Sequence, residues 1–403
     1  MAGRGAITSI AMWAIWLVTR ANLYLSVIGP GKNGDVGIYR QWYSCCLSHG
    51  AFPTADQMWQ YPPGTALVLW LPGHLPGGYV SAFVLLAIGC DLAITFMLRA
   101  RCRRAGSAAG AWYWVCGVPL IGTVAVTRFD VLPVALSVAA VCLVGQGGVR
   151  GLLIGAGAAI KIWPVTMLAG TPPGQWRREI VAAAAVFGTV CALFATATVS
   201  FLAHQAARGL EIESVAATPA MIWRHATWAG KVEFKYGSMQ LSGAYAAVAE
   251  DAARLSIVLV VIAVIGWRLL VASGRAAWRP EFATDAPLAA TLLFLVVSPV
   301  LSAQYLLWVV GLAAACLATG RTTQRPVAIA VLAVAALTQG VFPIWWPGVV
   351  SGSGPVTAVL VTRNVLLTAT AVIACARILR APRSSARDET IARNVDESRQ
   401  GAY

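Results

Sequence analysis

Charge is what this sequence most lacks. Of 403 residues, 11% are charged and only 16 are acidic, whereas a soluble domain carries about 25% charged residues. With 58% of residues hydrophobic, a water-soluble globule is excluded. Histidine is rarer still, at four. A membrane-bound acyltransferase wants a His/Asn or His-x-x-x-x-Asp pair, and neither His204 nor His225 has an aspartate four or five residues on. The nine cysteines lie mostly inside apolar runs (Cys90, Cys116, Cys142, Cys191, Cys316, Cys375) and have no metal-ligand spacing. Cys45 and Cys46 are adjacent on a polar stretch, where a vicinal disulfide is the less favoured reading. No repeat of about 20 to 50 residues is visible. No clean small-residue cleavage site follows the first apolar run, so residues 6–28 read as a retained span and not as a signal peptide.

What is present is a series of apolar runs of about 20 residues, the length that crosses a hydrocarbon core. That pattern describes an all-α polytopic membrane protein, because amides in lipid must bond within their own helix. The 38 glycines and 16 tryptophans suit it, glycine at close helix contacts and tryptophan at interfaces. A net charge of +14 would suit nucleic acid, but the positives cluster in short loops and read as topology signals. No nucleic-acid partner is expected.

Spans are expected over about 6–28, 79–98, 107–126, 131–146, 179–201, 253–272, 286–300, 304–320, 326–343 and 354–377. The arginines at 4, 99–104, 150, 177–178, 275–279 and 321–325 then all fall on the cytoplasmic side. Two long loops, about 29–77 and 202–252, face outside together. The run 151–170 is interrupted by Lys161-Ile162-Trp163-Pro164. A single crossing there would put Arg177 and Arg178 outside. The run therefore reads as two half-length segments that enter and return, with Lys161 at the turn. Residues 66–75 are too short to cross and are expected at the outer interface. Residues 1–380 make one transmembrane domain, and the charged residues 381–403 a disordered cytoplasmic tail.

The scarce polar groups gather at one face. Asp35 follows the first span and, on a helix, shares a face with Tyr39, Trp42 and Tyr43. It reads either as a catalytic base or as a helix N-cap after Asn33-Gly34. The second loop opens with His204, Arg208, Glu211 and Glu213. On a helix the first three share a face and Glu213 points away. An Arg–His pair at a membrane surface suits a phosphate, which guanidinium binds bidentately; the plainer reading is an Arg208–Glu211 pair on a solvated interfacial helix. Arg128 and Asp130 make either a corner salt bridge or part of a phosphate pocket. Lys161 either snorkels to the inner surface or reaches an anionic group in a cavity. Tyr61-Pro62-Pro63 has a fixed backbone that can wall an active-site loop. Trp345 and Trp346 read as interface anchors.

Gly34-Asp35 with Tyr39, Tyr61-Pro62-Pro63, Lys161-Ile162-Trp163-Pro164, Arg208-Gly-Leu-Glu-Ile-Glu-Ser214 and Ser298-Pro-Val-Leu-Ser-Ala-Gln-Tyr-Leu-Leu-Trp308 occur together and in this order. The set resembles glycosyltransferase family 87, actinobacterial membrane enzymes of the GT-C class. The family includes the polyprenol-phosphate-mannose-dependent mannosyltransferases of phosphatidylinositol mannoside and lipomannan synthesis. The resemblance covers nearly the whole chain to about residue 380. Its Arg-Gly-Leu-Glu-Ile-Glu-Ser and Ser-Ala-Gln-Tyr pieces are the more specific, while the aspartate after the first span is shared by GT-C enzymes generally. The chain departs in carrying Ala303 where proline is expected before Gln304-Tyr305, which leaves substrate choice open.

The resemblance implies a GT-C fold of about 10–12 transmembrane helices with an extracytoplasmic active site in the cell membrane. The donor it implies is polyprenyl-phosphate-mannose or a related lipid-phosphate sugar, and the acceptor a glycolipid or cell-envelope glycan. The donor phosphate would lie near Arg208 and His204, with Lys161 and Arg128 as further ligands. Tyr39, Tyr61, Glu211, Glu213, Gln304 and Tyr305 would line the substrate pocket. Asp35 would take the proton from the acceptor hydroxyl, and a single inverting displacement needs only that one carboxylate. No nucleotide sugar is implied, so neither a metal nor any other cofactor is expected, and the sequence has no Asp-x-Asp motif. The competing reading is a transporter or flippase of lipid-linked sugars. It would show internal repeats and polar residues at the midplane instead of at one face.

Overall fold

Apolar runs that must satisfy their own amides coil into helices. The computed structural model follows that rule over the residues it describes, 2–29, 34–224 and 230–380. Helix α1 (Ala2–Val27) leads into a loop carrying α2 (Val36–Cys45) and α3 (Thr65–Trp70). Helix α4 (Tyr79–Arg104) returns. The next crossing is α5 (Ala109–Gly117) and α6 (Val124–Thr127), broken between them, and α7 (Val131–Cys142) and α8 (Gly147–Ile160) follow. Then come α9 (Trp176–Leu193), α10 (Ala195–Ala207), strand β1 (Leu210–Glu211), α11 (Thr218–Trp223), strands β2 (Lys231–Lys235) and β3 (Ser238–Ser242), and the long α12 (Ala244–Ala272). The chain ends with α13 (Phe282–Val297), α14 (Tyr305–Ala318), α15 (Arg325–Gln339), α16 (Trp346–Ser351) and α17 (Gly354–Leu379).

Helix occupies all ten expected spans, and the chain is a membrane protein. Five helices are long and apolar enough to cross a membrane unaided. Helices α13 and α14, with 16 and 14 residues, are shorter, rising only about 21–24 Å. They are buried almost all round, so protein and not lipid meets them.

The run 151–170 does turn back on itself. Arg150, at the start of α8, reaches the Met167 carbonyl at 3.1 Å and the Thr171 hydroxyl at 3.5 Å, and pairs with Glu179. Residues 150 and 167–171 are therefore at one end, with Lys161 at the other. The return leg is a 3₁₀ helix over Trp163–Gly170. Gly151 and Gly155 let α8 lie against α9: a Cβ on either would fall 2.4–2.5 Å from a carbonyl of that helix.

Several expectations need correction. The span 179–201 is a broken pair, with α9 and α10 meeting at 100°. The 18 residues of α9 already rise about 27 Å, so α10 is free to leave the bundle direction. Helix α12 starts at Ala244, before the expected 253, directly after Gly243, and Glu250 and Arg254 pair along its early turns. The loop 202–252 is not all helix and coil either. Its short strands form a sheet in the order β1-β3-β2, antiparallel throughout, with Leu210 opposite Leu241 and Lys235 opposite Ser238. Leu210, Ile212, Met221 and Leu241 form a small second core with Val341, Val349 and Leu360, which fastens this loop to α16 and α17. Cys45 and Cys46 are disulfide-bonded, against the favoured reading. The expected tail 381–403 and His225 lie outside the described residues.

Candidate active site

The two long loops and the ends of α8 and α14 line a cleft with a cavity of about 100 Å³. On the first loop, α2 forms where expected and buries Val36, Tyr39 and Trp42. Trp42 Nε1 donates to Asp56 at 2.7 Å, fixing the helix to the chain that follows. Asp35 stands at the N-cap position but makes no capping bond. Its carboxylate instead pairs with Arg128.

Arg128 and Asp130 flank Phe129 between α6 and α7. They do not pair with each other, which corrects the corner salt bridge. Arg128 holds Asp35, and Asp130 accepts from Lys161 Nζ at 2.6 Å. Burial opposes the Arg128 charge, but Asp35, Tyr39, Tyr61 and Asp130 outweigh it and hold the guanidinium above its ordinary range. Trp308 Nε1 also donates to Asp130, at 2.6 Å. The rings of Tyr61, Phe129, Tyr305 and Trp308 surround the Lys161 ammonium at 5.1–5.7 Å, close enough for cation–π attraction. Lys161 thus does not snorkel away; it faces the cleft. Tyr61 is placed by its neighbour Gly64, where a Cβ would stand 2.5 Å from the Ala159 carbonyl, and by Thr65, whose hydroxyl donates to the Ile160 carbonyl at 2.6 Å.

The segment 208–214 departs most from expectation. Helix α10 stops at Ala207 and Arg208 is extended, so the shared helical face does not exist. Strand β1 ends at Glu211 and the chain turns at Ile212 and Glu213, and Glu211 and Glu213 both line the cleft. Glu211 accepts from the Leu301 amide at 3.0 Å and the Ser302 hydroxyl at 3.3 Å, with Arg208 at 3.9 Å. This ties the loop to the turn that carries Gln304 and Tyr305. Burial raises the Glu211 carboxyl, opposed by Arg208, Ser302 and Leu301. Burial also pushes Glu213 up, to about 8, with Arg363 opposing and Glu211 adding to the rise. Arg363 stands 3.7 Å from that carboxyl.

Asp35, Tyr39, Tyr61, Arg128, Lys161, Arg208, Glu211, Glu213, Gln304 and Tyr305 all line the one cleft. His204 does not: its Nδ1 meets the Trp59 carbonyl at 2.9 Å, holding the first loop from behind. Sequence reading missed the hairpin tip Tyr236-Gly237, which overhangs the cleft, tied down by Gln60 Nε2 on the Tyr236 carbonyl at 2.7 Å. It also missed Arg363, although a lone arginine inside an apolar span is a signal of function in itself. Trp346, expected as an anchor, lines the cleft; Trp345 is 48% exposed. Tyr39 Oη, Arg208 Nε and Glu213 Oε1, all on lining residues, are buried with no hydrogen-bond partner among the described residues. Orphaned groups of this kind mark a surface built for a polar ligand.

The family model of glycosyltransferase family 87 matches residues 59–299, which hold Tyr61, Arg128, Lys161 and the 208–214 segment. The chain belongs to glycosyltransferase family 87. Membership carries the glycosyltransferase activity and the GT-C class expected from the sequence, and it sets aside the transporter reading. No curated protein matches this family 87 chain. Among solved structures it is similar to two of ArnT from Cupriavidus metallidurans. One, bound to undecaprenyl phosphate, shares 13% identity with a TM-score of 0.46 over 94% of this chain and 78% of that one. The other, in the apo state, shares 16% identity with a TM-score of 0.45 over 92% and 78%.

Proposed function

We propose that this family 87 enzyme moves a mannosyl or related residue from a polyprenyl-phosphate sugar to a glycolipid or cell-envelope glycan. Transfer inverts the anomeric centre and takes place on the extracytoplasmic face. The observation that carries this reading is that Asp35 and three cations, Arg128, Lys161 and Arg208, line one cleft. A phosphate leaving group needs such cations, and a hydroxyl nucleophile needs such a carboxylate. The sidedness rests on the charge rule. The arginines that end α4, at 101, 103 and 104, lie at the opposite end of that helix from Tyr79 and the first loop.

The chemistry then needs one exchange of partners. Arg128 is held by Asp35. An entering phosphate offers Arg128 a second anion, and its shift frees the Asp35 carboxylate. The acceptor oxygen attacks the anomeric carbon as the bond from that carbon to the phosphate oxygen breaks. The hydroxyl proton passes to Asp35, and polyprenyl phosphate leaves with the bonding pair. Aromatic rings of Tyr61, Tyr305 and Trp346 offer apolar faces for the sugar.

The test uses membranes carrying wild type or Asp35→Asn, given radiolabelled polyprenyl-phosphate-mannose and candidate acceptor lipids. Loss of a general base lowers the rate by about 10²–10⁴-fold. Unimpaired transfer by the variant refutes the role of Asp35. Absence of transfer from every lipid-phosphate sugar, with lipid-sugar flipping observed instead, refutes the reaction.

A further inference from the structure

Glu213 is fixed through its backbone, and its carboxyl has a single long ion pair, with Arg363 at 3.7 Å. Its carbonyl accepts from Arg363 Nη2 at 2.9 Å and from Asn364 Nδ2 at 3.4 Å. The side chain lines the cleft while only 3% of the residue is exposed. Oε1 has no hydrogen-bond partner among the described residues, and Arg363 Nη2 comes no closer than 3.7 Å. The other carboxyls here are engaged: Asp35 by Arg128, Asp130 by Lys161 and Trp308, Glu211 by Leu301 and Ser302. Arg363 gives Nη2 to the main chain, so the carboxyl it approaches is left to face the cleft.

A buried carboxylate without hydrogen bonds is unfavourable, and the neutral acid is the cheaper form. Three charged groups bear on it. Burial and Glu211 favour the protonated form, while Arg363 from α17 and Arg128 from the α6–α7 turn favour the ionised one; the balance lies at about 8. A protonated carboxyl offers one donor and one acceptor, which is what a sugar hydroxyl presents in return. It also adds no negative charge where an anionic donor must bind.

We propose that Glu213 is a hydroxyl-binding residue of the cleft that works as the neutral acid, engaging a ring hydroxyl of the transferred sugar or of its acceptor. The identity of the partner rests on the transferase reading; the state of the carboxyl does not. Two variants separate the questions, Glu213→Gln, which keeps a neutral donor and acceptor, and Glu213→Ala, which keeps neither. Infrared difference spectra of purified wild type against Glu213→Gln at neutral pH show a protonated-carboxyl C=O band in wild type only, lost as pH rises through about 8. In the transfer assay Glu213→Gln works at least about tenfold faster than Glu213→Ala, the size of one lost hydrogen bond in a dry site. Wild type slows as pH rises through about 8, and Glu213→Gln does not. The KM that rises in Glu213→Ala, for donor or for acceptor, tells which hydroxyl is held. No band assignable to Glu213, equal impairment of both variants, or an unimpaired Glu213→Ala each overturns the proposal. The infrared readout needs no turnover. A wild type that shows the band but transfers no sugar therefore counts against the transferase reading alone.

Discussion

Replacing Asp130 by asparagine keeps the shape of the side chain and removes its charge. In wild type, Asp130 is 1% exposed, and its Oδ1 accepts from both Lys161 and Trp308 at 2.6 Å. The asparagine oxygen can still accept from Trp308 and Lys161, but the ammonium loses its counter-ion and has only neutral partners and four aromatic rings around it. Cation–π contacts bring about 0.5–2 kcal/mol each at best, and they are already present in wild type, so they replace nothing. Stranding one member of a buried pair costs about 3–5 kcal/mol. Lysine can escape by losing its proton, which from an ordinary pKa of 10.4 to pH 7 costs about 4.6 kcal/mol and caps the loss. Asp130→Asn is therefore expected to destabilise the protein by about 3–4.5 kcal/mol. Adding Lys161→Met removes the stranded charge and recovers most of that, for a coupling of at least about 2 kcal/mol. Denaturation of wild type, both single variants and the double variant in detergent measures the coupling. The double variant stays poor in transfer, with a raised KM for the lipid-phosphate sugar, because the cation is gone. A loss under about 1 kcal/mol in Asp130→Asn, or a double variant no more stable than that single one, refutes the ion-pair argument.

Three further outcomes follow from the cleft and its supports. Arg208→Ala removes a lining cation and lowers kcat/KM by about 10–150-fold, the range of a charge-assisted hydrogen bond. His204→Ala loses only a bond behind the first loop and stays within about threefold; an effect as large as that of Arg208→Ala restores histidine to the phosphate site. Gly64→Ala drives a Cβ against the Ala159 carbonyl and costs about 1–3 kcal/mol in thermal stability. A neutral result there shows that the contact between the first loop and α8 is slack.

Much of the architecture was legible because lipid leaves so few options. Ten apolar runs became helix, and the placement of arginines implied that the chain reverses at Lys161, as Arg150 and Met167 now attest. The residues on the two long loops also converge, since both begin at span ends on one face. What the sequence could not show was backbone conformation between spans. A helical period through 204–214 looked as good as any other, yet Gly209 lies where helix α10 has ended and Glu211 pairs across to Gln240. That single change of conformation turns Glu213 into the cleft and detaches His204 from it. Partner choice was equally hidden. Arg128 and Asp130, two apart, look like a pair, but Arg128 is extended while Asp130 already has the helical conformation that opens α7, and each finds its partner in a distant segment.

The hairpin tip at Tyr236-Gly237 has a consequence for how this cleft can diversify. One side of the cleft is made of helix ends held by the buried ion pair of Lys161 with Asp130. The opposite side is a small sheet whose outer strand, β2, pairs only with β3 and is largely exposed. Side chains can change at the exposed Lys231, Phe234 and Lys235 without disturbing any helix. Recognition of the incoming partner can thus be rewritten on a removable cover while the reacting groups beneath it stay in register. Grafting this hairpin between family 87 chains is the natural way to exchange their selectivities.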